Sequence, residues 1–126
     1  MSVIVDTSAW IDFFDGQDCP ALEEAHAQGL VILPPVVVAE LVSGAIRAGD
    51  RKAINELVRE IPVHPTDVEH WIRVGELRRD LGGKGLSVST PDAHVAQCAL
   101  DLDAALISRD AVFARISRLT ELRLSK

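Results

Sequence analysis

Four carboxylates occupy positions where chemistry could gather. Asp6 directly follows Val3-Ile4-Val5, Glu40 lies within Val36-Val37-Val38-Ala39-Glu40-Leu41-Val42, Asp92 belongs to Thr90-Pro91-Asp92, and Asp110 closes Ser108-Arg109-Asp110 after Ala104-Ala105-Leu106-Ile107. Carboxylates brought to one site repel one another, so either their pKa values rise or a multivalent cation offsets the charge. Mg²⁺ and Mn²⁺ prefer oxygen ligands, and a Mg²⁺ site typically combines one or two carboxylates with water and substrate phosphate. The chemistry this implies is metal-assisted phosphodiester hydrolysis. Bound metal lowers the pKa of its water to make the nucleophile, and a second ion about 3.5–4 Å away could stabilise the leaving oxygen.

Each carboxylate also has a plainer reading. Asp6 and Asp110 stand where a helix N-cap is expected, and Asp92 lies in a first turn, where negative charge is worth about 0.3–1 kcal/mol against the helix dipole. Glu40 fits that reading worst, because its segment is too apolar to be mostly solvated and an unpaired buried charge is costly. Ser43 and Gly44, one turn on, leave room beside it. Asp12, one turn after Ser8, is expected at the surface.

Other chemistries fail on particular residues. A phosphoacceptor site needs an acidic pair after the first strand, but Val5 precedes Asp6, and a phosphatase of the haloacid-dehalogenase type needs a second Asp where Ser8 stands. Gly82-Gly83-Lys84-Gly85 is too short for a P-loop and follows a helix. His26, His64, His70 and His94 share no ligand spacing and read as surface or locally hydrogen-bonded histidines. Cys19 and Cys98 form no CxxC pair, so a disulfide framework or structural zinc is not expected, and both read as reduced and buried.

To bring such carboxylates together the chain needs short strands alternating with helices, and it has them. Strands are expected at Ser2–Val5, Leu30–Leu33, Ala104–Ile107 and Leu122–Leu124, with a weaker one at Ile61-Pro62-Val63. Helices are expected over Thr7–Phe14, Pro20–Gln28, Pro35 to about Ala48, Gly49 to about Glu60, Thr66–Leu81 with its cap at Thr66 or Asp67, Thr90–Leu100 and Asp110–Ser117. This pattern predicts an α/β fold of three layers, α/β/α, around a parallel sheet of about five strands. In such sheets ligands bind outside the carboxyl ends of the strands, where Asp6 and Ser108-Arg109-Asp110 fall.

At 126 residues, 48% apolar and 25% charged, the chain reads as one domain over 1–126 that buries roughly two thirds of its unfolded surface. The start carries no basic, apolar leader, and no stretch approaches the ~20 apolar residues a bilayer needs, so a soluble, cytoplasmic protein without a membrane partner is expected. The net charge of −6 is unusual for a polyanion binder. Its distribution is uneven. Through Ala48, Arg47 is the only Lys or Arg against seven acids, whereas from Arg109 onward Arg109, Arg115, Arg118, Arg123 and Lys126 face only Asp110 and Glu121. Candidate contacts for a nucleic acid are Arg78, Arg79, Lys84, Arg109 and Arg115. Trp10, Phe13 and Phe14 are expected in the core or a dimer contact, and Trp71 in either.

Four segments carry a resemblance: Val5-Asp6-Thr7-Ser8-Ala9-Trp10-Ile11-Asp12; Val38-Ala39-Glu40-Leu41; Pro91-Asp92-Ala93-His94-Val95-Ala96 with Ala99-Leu100; and Leu106-Ile107-Ser108-Arg109-Asp110 followed by Phe113. In order and spacing, over nearly the whole chain, they are similar to the PIN domain and more narrowly to VapC-type toxin ribonucleases of toxin–antitoxin systems. The resemblance implies a Mg²⁺- or Mn²⁺-dependent endoribonuclease acting on RNA, a homodimer, inhibited by a VapB-like antitoxin lying along the active-site groove. Asp6, Glu40, Asp92 and Asp110 correspond to the family's acidic quartet, with Asp6, Asp92 and Asp110 as metal ligands, Asp6 and Asp92 foremost. Ser108 and Thr7 or Ser8 correspond to nearby hydroxyls. His94 and Gln97 depart from the pattern by standing where it has apolar residues. A catalytically silent interaction module, or an RNA-processing or DNA-directed nuclease without an antitoxin, remains an alternative.

Overall fold

The computed structural model describes every residue except Ile46 and Lys126. Its elements run β1 Val3–Val5, α1 Thr7–Phe14, α2 Pro20–Ala27, β2 Val31–Ile32, α3 Pro35–Gly44, α4 Ala48–Glu60, α5 Val68–Gly83, α6 Thr90–Leu102, β3 Ala105–Ile107, α7 Ala111–Leu119 and β4 Arg123–Leu124. The strands form one parallel sheet in the order β2-β1-β3-β4. Val3 pairs with Val31 on one side and Ala105 on the other, and Val5 pairs with Ile107. Val3, Ile4 and Val5 are all buried, as a central parallel strand covered on both faces requires. The helices flank the sheet to give the α/β/α architecture.

The fifth expected strand shrinks to one bridge, in which Leu33 lies parallel to Val63. Leu33 N–H donates to the Pro62 carbonyl at 2.9 Å, and His64 N–H donates to the Leu33 carbonyl at 2.8 Å. Pro62 has no N–H to continue that ladder, so pairing stops there. Helix α3 is also shorter than its apolar run suggests. It ends at Gly44, and Ala45 and Arg47 are extended, so Ala48 opens the next helix instead of closing this one.

Helix α6 is the central packing element, touching β1, β3, α3, α5 and α7. Its residues Ala93–Ala99 are consecutively buried, including His94 at 0% and Gln97 at 8% exposure. The two departures from an apolar pattern are therefore inside the protein, where their polar atoms need partners. Trp10 is fully buried against the edges and faces of Phe13 and Phe14. Trp71 is 43% exposed. Cys19 and Cys98 are both free and buried.

This topology fixes where a site can form. The chain moves outward from β1 to β2 in one direction and from β3 to β4 in the other, so the sheet has its switch point between β1 and β3. The residues just past those neighbouring strands are Asp6 and Ser108.

Candidate active site

Asp6 leaves the central strand with its backbone N–H bonded to the Ile107 carbonyl at 2.9 Å. It occupies the N-cap position of α1, yet its carboxylate makes no capping bond to that helix. Two hydroxyls take it instead. Ser8 Oγ donates to Asp6 Oδ2 at 2.9 Å, and Ser108 Oγ donates to the same oxygen at 2.9 Å. Only 6% of Asp6 is exposed. A carboxylate this buried is expensive unless hydrogen-bonded or paired with positive charge, and among the described residues its side-chain partners are two neutral hydroxyls.

The serine pair extends the network to α7. The two hydroxyls lie 3.2 Å apart, Ser8 Oγ accepts the Arg109 N–H at 3.0 Å, and Ser108 Oγ accepts the Asp110 N–H at 3.0 Å. Asp110 does cap a helix, its Oδ1 accepting the Val112 N–H at 3.0 Å. Asp92 sits in the first turn of α6, whose cap is Ser89, the serine hydroxyl accepting the Asp92 N–H at 3.2 Å. Burial pushes the Asp92 carboxyl above the usual carboxylate range. The Ser89 hydroxyl pulls it back, and the charges of Asp110 and Asp6 push it up again. The charges of Asp6 and Asp110 thus reach Asp92, from the end of β1 and the start of α7.

Glu40 joins from α3 through Thr7, whose Oγ1 donates to Glu40 Oε1 at 2.8 Å. It is exposed, against the expectation of a desolvated carboxylate. The reason is the helix face: α3 buries Val37 and Leu41 and leaves Ala39, Glu40, Ser43 and Gly44 open. Beside it a cavity of about 150 Å³ is lined by Ile11, Phe14, Leu41, Ala45 and Ile54, with Asp15 and Asp50. The central donors are carboxylate oxygens backed by hydroxyls, a set that fits a hard divalent cation and lacks the nitrogen and sulfur that softer metals favour.

The basic residues are less concentrated. Arg109 Nε reaches Asp12 Oδ2 at 3.2 Å and its Nη2 donates to the Asp18 carbonyl at 3.2 Å, so Asp12 is a partner of Arg109 at the margin of the acidic cluster. Arg78 Nε donates to the Val88 carbonyl at 2.8 Å, bracing α5 against the segment leading into α6. Arg78 and Arg79 line a second hollow with Gly75, Gly82, Gly85, Ser87 and Val88. Lys84 Nζ reaches the Leu119 carbonyl at 3.3 Å, and Arg115 is exposed on α7.

A second cluster corrects the expectation that the histidines share no ligand spacing and lie at the surface or in local hydrogen bonds, since His70 and His94 are buried and His64, His70 and Cys98 come together. His70 on α5 bonds through Nδ1 to Asp101 Oδ2 at 2.8 Å and through Nε2 to His94 Nδ1 at 2.7 Å. Asp101 also receives both Arg73 Nε and Nη2 at 2.9 Å and Gln97 Nε2 at 2.8 Å. Burial alone pushes Asp101 up, but bonds from Arg73, His70 and Gln97 hold it down at about 2. Burial lowers His94 to about 4, helped by His70 and His64, and pushes the Cys98 thiol up to about 12. His94, Cys98 and Asp101 follow one another at helical spacings of four and three, which is the available signal. His70 has no such signal, because packing of α5 on α6 brings it there.

"VapC ribonuclease Mb1587" from Mycobacterium bovis is 26% identical over 129 residues, covering 96% of both chains. The structure of VapBC-1 from nontypeable Haemophilus influenzae superposes with a TM-score of 0.79 at 21% identity, covering 100% of this chain and 98% of that one. A member of the VapBC family of toxin–antitoxin systems, VapBC-5 from Mycobacterium tuberculosis, superposes at 0.71 with 23% identity, covering 100% and 99%. The family model described as PIN domain matches residues 3–119, and the chain therefore belongs to the PIN domain family.

Proposed function

We propose that this chain is a divalent-metal-dependent endoribonuclease, the toxin of a toxin–antitoxin pair, that hydrolyses RNA phosphodiester bonds. The observation that carries the reading is the buried Asp6 carboxylate, anchored by the hydroxyls of Ser8 and Ser108 and close enough to Asp92 for their charges to interact, with no ion pair to a cationic side chain among the described residues. The ribonuclease name of the 26%-identical relative and the toxin–antitoxin complexes among the structural neighbours support the substrate class and biological setting.

Asp6, Asp92 and Asp110 would hold Mg²⁺, with Mn²⁺ as a substitute. Bound there, such an ion would supply a water of lowered pKa and would screen the scissile phosphate from the acidic pocket. The residues of the chain prepare that site. Ser8 and Ser108 fix the rotation of the Asp6 carboxylate, and Ser108 also sets the start of α7 and so the position of Asp110. Thr7 orients Glu40 on the solvent side, where its carboxylate can take a proton from water. Arg109 and Arg115, with Arg78, Arg79 and Lys84 farther along, would track the RNA backbone, phosphate contacts being sequence-independent.

The partners under this reading are RNA, a VapB-like antitoxin covering the groove and a second copy of the chain in a homodimer. A cytoplasmic location suits them, and no helix among the described residues is long and apolar enough to cross a membrane. The test is incubation of purified protein with single-stranded RNA and Mg²⁺ or Mn²⁺. Cleavage that EDTA suppresses and Asp6→Asn abolishes supports the reading, and cleavage that persists in the variant refutes the site.

A further inference from the structure

We propose that His64, His70, His94 and Cys98 form a second, soft-metal site that takes Zn²⁺ and clips α5 to α6 and to the segment preceding α5. The donors of His64, His70 and Cys98 lie within 4.8 Å of one another, with His70 and Cys98 buried and His64 partly open to solvent. His94 Nδ1 lies 2.7 Å from His70 Nε2, and Cys98 Sγ is 4.0 Å from His70 Nε2 and 3.9 Å from His94 Nδ1. Three imidazoles and a thiol are the nitrogen and sulfur donors of tetrahedral zinc.

The second layer is also built. A carboxylate only accepts, so Asp101 makes His70 Nδ1 the donor and leaves the Nε2 lone pair to accept the His94 Nδ1–H, with Cys98 Sγ 4.0 Å from the same nitrogen. Arg73 and Gln97 hold Asp101 in turn. A carboxylate behind an imidazole is how proteins orient zinc-binding histidines. Among the described residues the Cys98 sulfur has only ring nitrogens as hydrogen-bond partners, at 3.8–4.0 Å.

Among His70, His94 and Cys98 the distances are near those a metal demands, and His64, whose donor lies within 4.8 Å of those of His70 and Cys98, must swing in to complete the set. Zn–N and Zn–S lengths of about 2.0–2.1 and 2.3 Å place tetrahedral donors about 3.3 Å apart for N and N and about 3.6 Å for N and S. The sulfur must close in by a few tenths of an ångström, and the His70–His94 pair must open by about 0.6 Å as His94 changes tautomer, losing its Nδ1 hydrogen and gaining one at Nε2 so that the imidazole stays neutral. The half-buried His64 gives the ion a way in. Uptake releases the Cys98 proton, since the thiolate is the ligand. The site is chemically separate from the oxygen donors around Asp6 and does not depend on the nuclease reading.

The test uses full-length protein without a histidine tag, stripped with chelator and titrated with Zn²⁺ against a chromophoric competitor. One equivalent should bind, unaffected by Asp6→Asn, weakened about 10–100-fold by Asp101→Asn and by at least about 100-fold by Cys98→Ser. Co²⁺ in the unmutated protein should give intense tetrahedral bands and a thiolate charge-transfer absorption, a readout needing no variant. Failure of the unmutated protein to bind Zn²⁺, an affinity that Cys98→Ser lowers by less than about tenfold, or a Co²⁺ spectrum without the thiolate band overturns the proposal. Loss of Zn²⁺ binding in Asp6→Asn overturns it too, by assigning the ion to the acidic cluster.

Discussion

Ser108 and Asp6 are joined across the switch point of the sheet, the serine hydroxyl donating to Asp6 Oδ2 at 2.9 Å while accepting the Asp110 N–H at 3.0 Å. One oxygen thereby sets the rotation of the central carboxylate and the start of the helix carrying another. Ser8 repeats the pattern with the Arg109 N–H. Residues placed behind metal ligands typically control activity by about 10–100-fold. Ser108→Ala is therefore expected to lower divalent-dependent RNA cleavage by about that factor, with the larger part in kcat. Single-turnover cleavage at saturating metal measures it, and unchanged kinetics would remove Ser108 from the account.

Asp92 makes a prediction about stability. Its carboxyl is raised in the folded protein, so between the ordinary value of 3.8 and the raised one the folded state binds more protons than the unfolded state. Stability from this group is greatest below 3.8 and declines as pH rises through the folded value. In EDTA, Asp92→Asn should raise the thermal midpoint at pH 7, and the gain should shrink as pH approaches 4. Thermal scans across pH check it; a variant less stable than the parent at pH 7 without divalent ions contradicts it.

Acid sensitivity should come from the histidine cluster. Burial holds His94 at about 4, below its ordinary 6.5, so the unfolded state takes up its proton first and stability falls as pH drops from 6.5 toward 4. Asp101, held down at about 2, adds stability above 3.8 that is lost as pH falls toward 2. Urea midpoints in EDTA should decline steadily between pH 6.5 and 4.5, and a flat profile there would show that His94 is protonated at little cost.

Arg109 should act through charge. It is half-exposed and paired with Asp12, and such a pair is worth at most about 1 kcal/mol to stability. Arg109→Ala should leave the thermal midpoint nearly unchanged and weaken binding to RNA of any sequence. It should also reduce the slope of log affinity against log salt by about 0.7, the value for one phosphate contact on a single strand. An unaltered slope would place Arg109 off the RNA path.

What could be read from the sequence was decided by local chemistry. The β-branched run Val3-Ile4-Val5 favours a buried strand, Pro35 and Pro91 fall in the first turns of helices, and acids after strands fall at the sheet's carboxyl edge whatever the packing. Features that depend on packing were hidden. Glu40 sits in an apolar string but on the open side of α3, a distinction made by what α3 leans against. The Pro62 segment has strand composition and lacks the donor that would extend its pairing. His70 and His94 are 24 residues apart and meet only because α5 crosses α6. Helical spacing could have linked His94 to Cys98, but nothing local pointed to His70.

The most direct measurement of the central claim is calorimetric titration of Mn²⁺ into the protein and its Asp6→Asn and Asp92→Asn variants, paired with RNA cleavage by the same samples. The account predicts saturable Mn²⁺ binding by the parent, its loss in both variants, and a fall in cleavage of about a thousandfold or more, matching several kcal/mol of transition-state stabilisation. Equal Mn²⁺ binding in all three proteins, or cleavage undiminished in the variants, would contradict it.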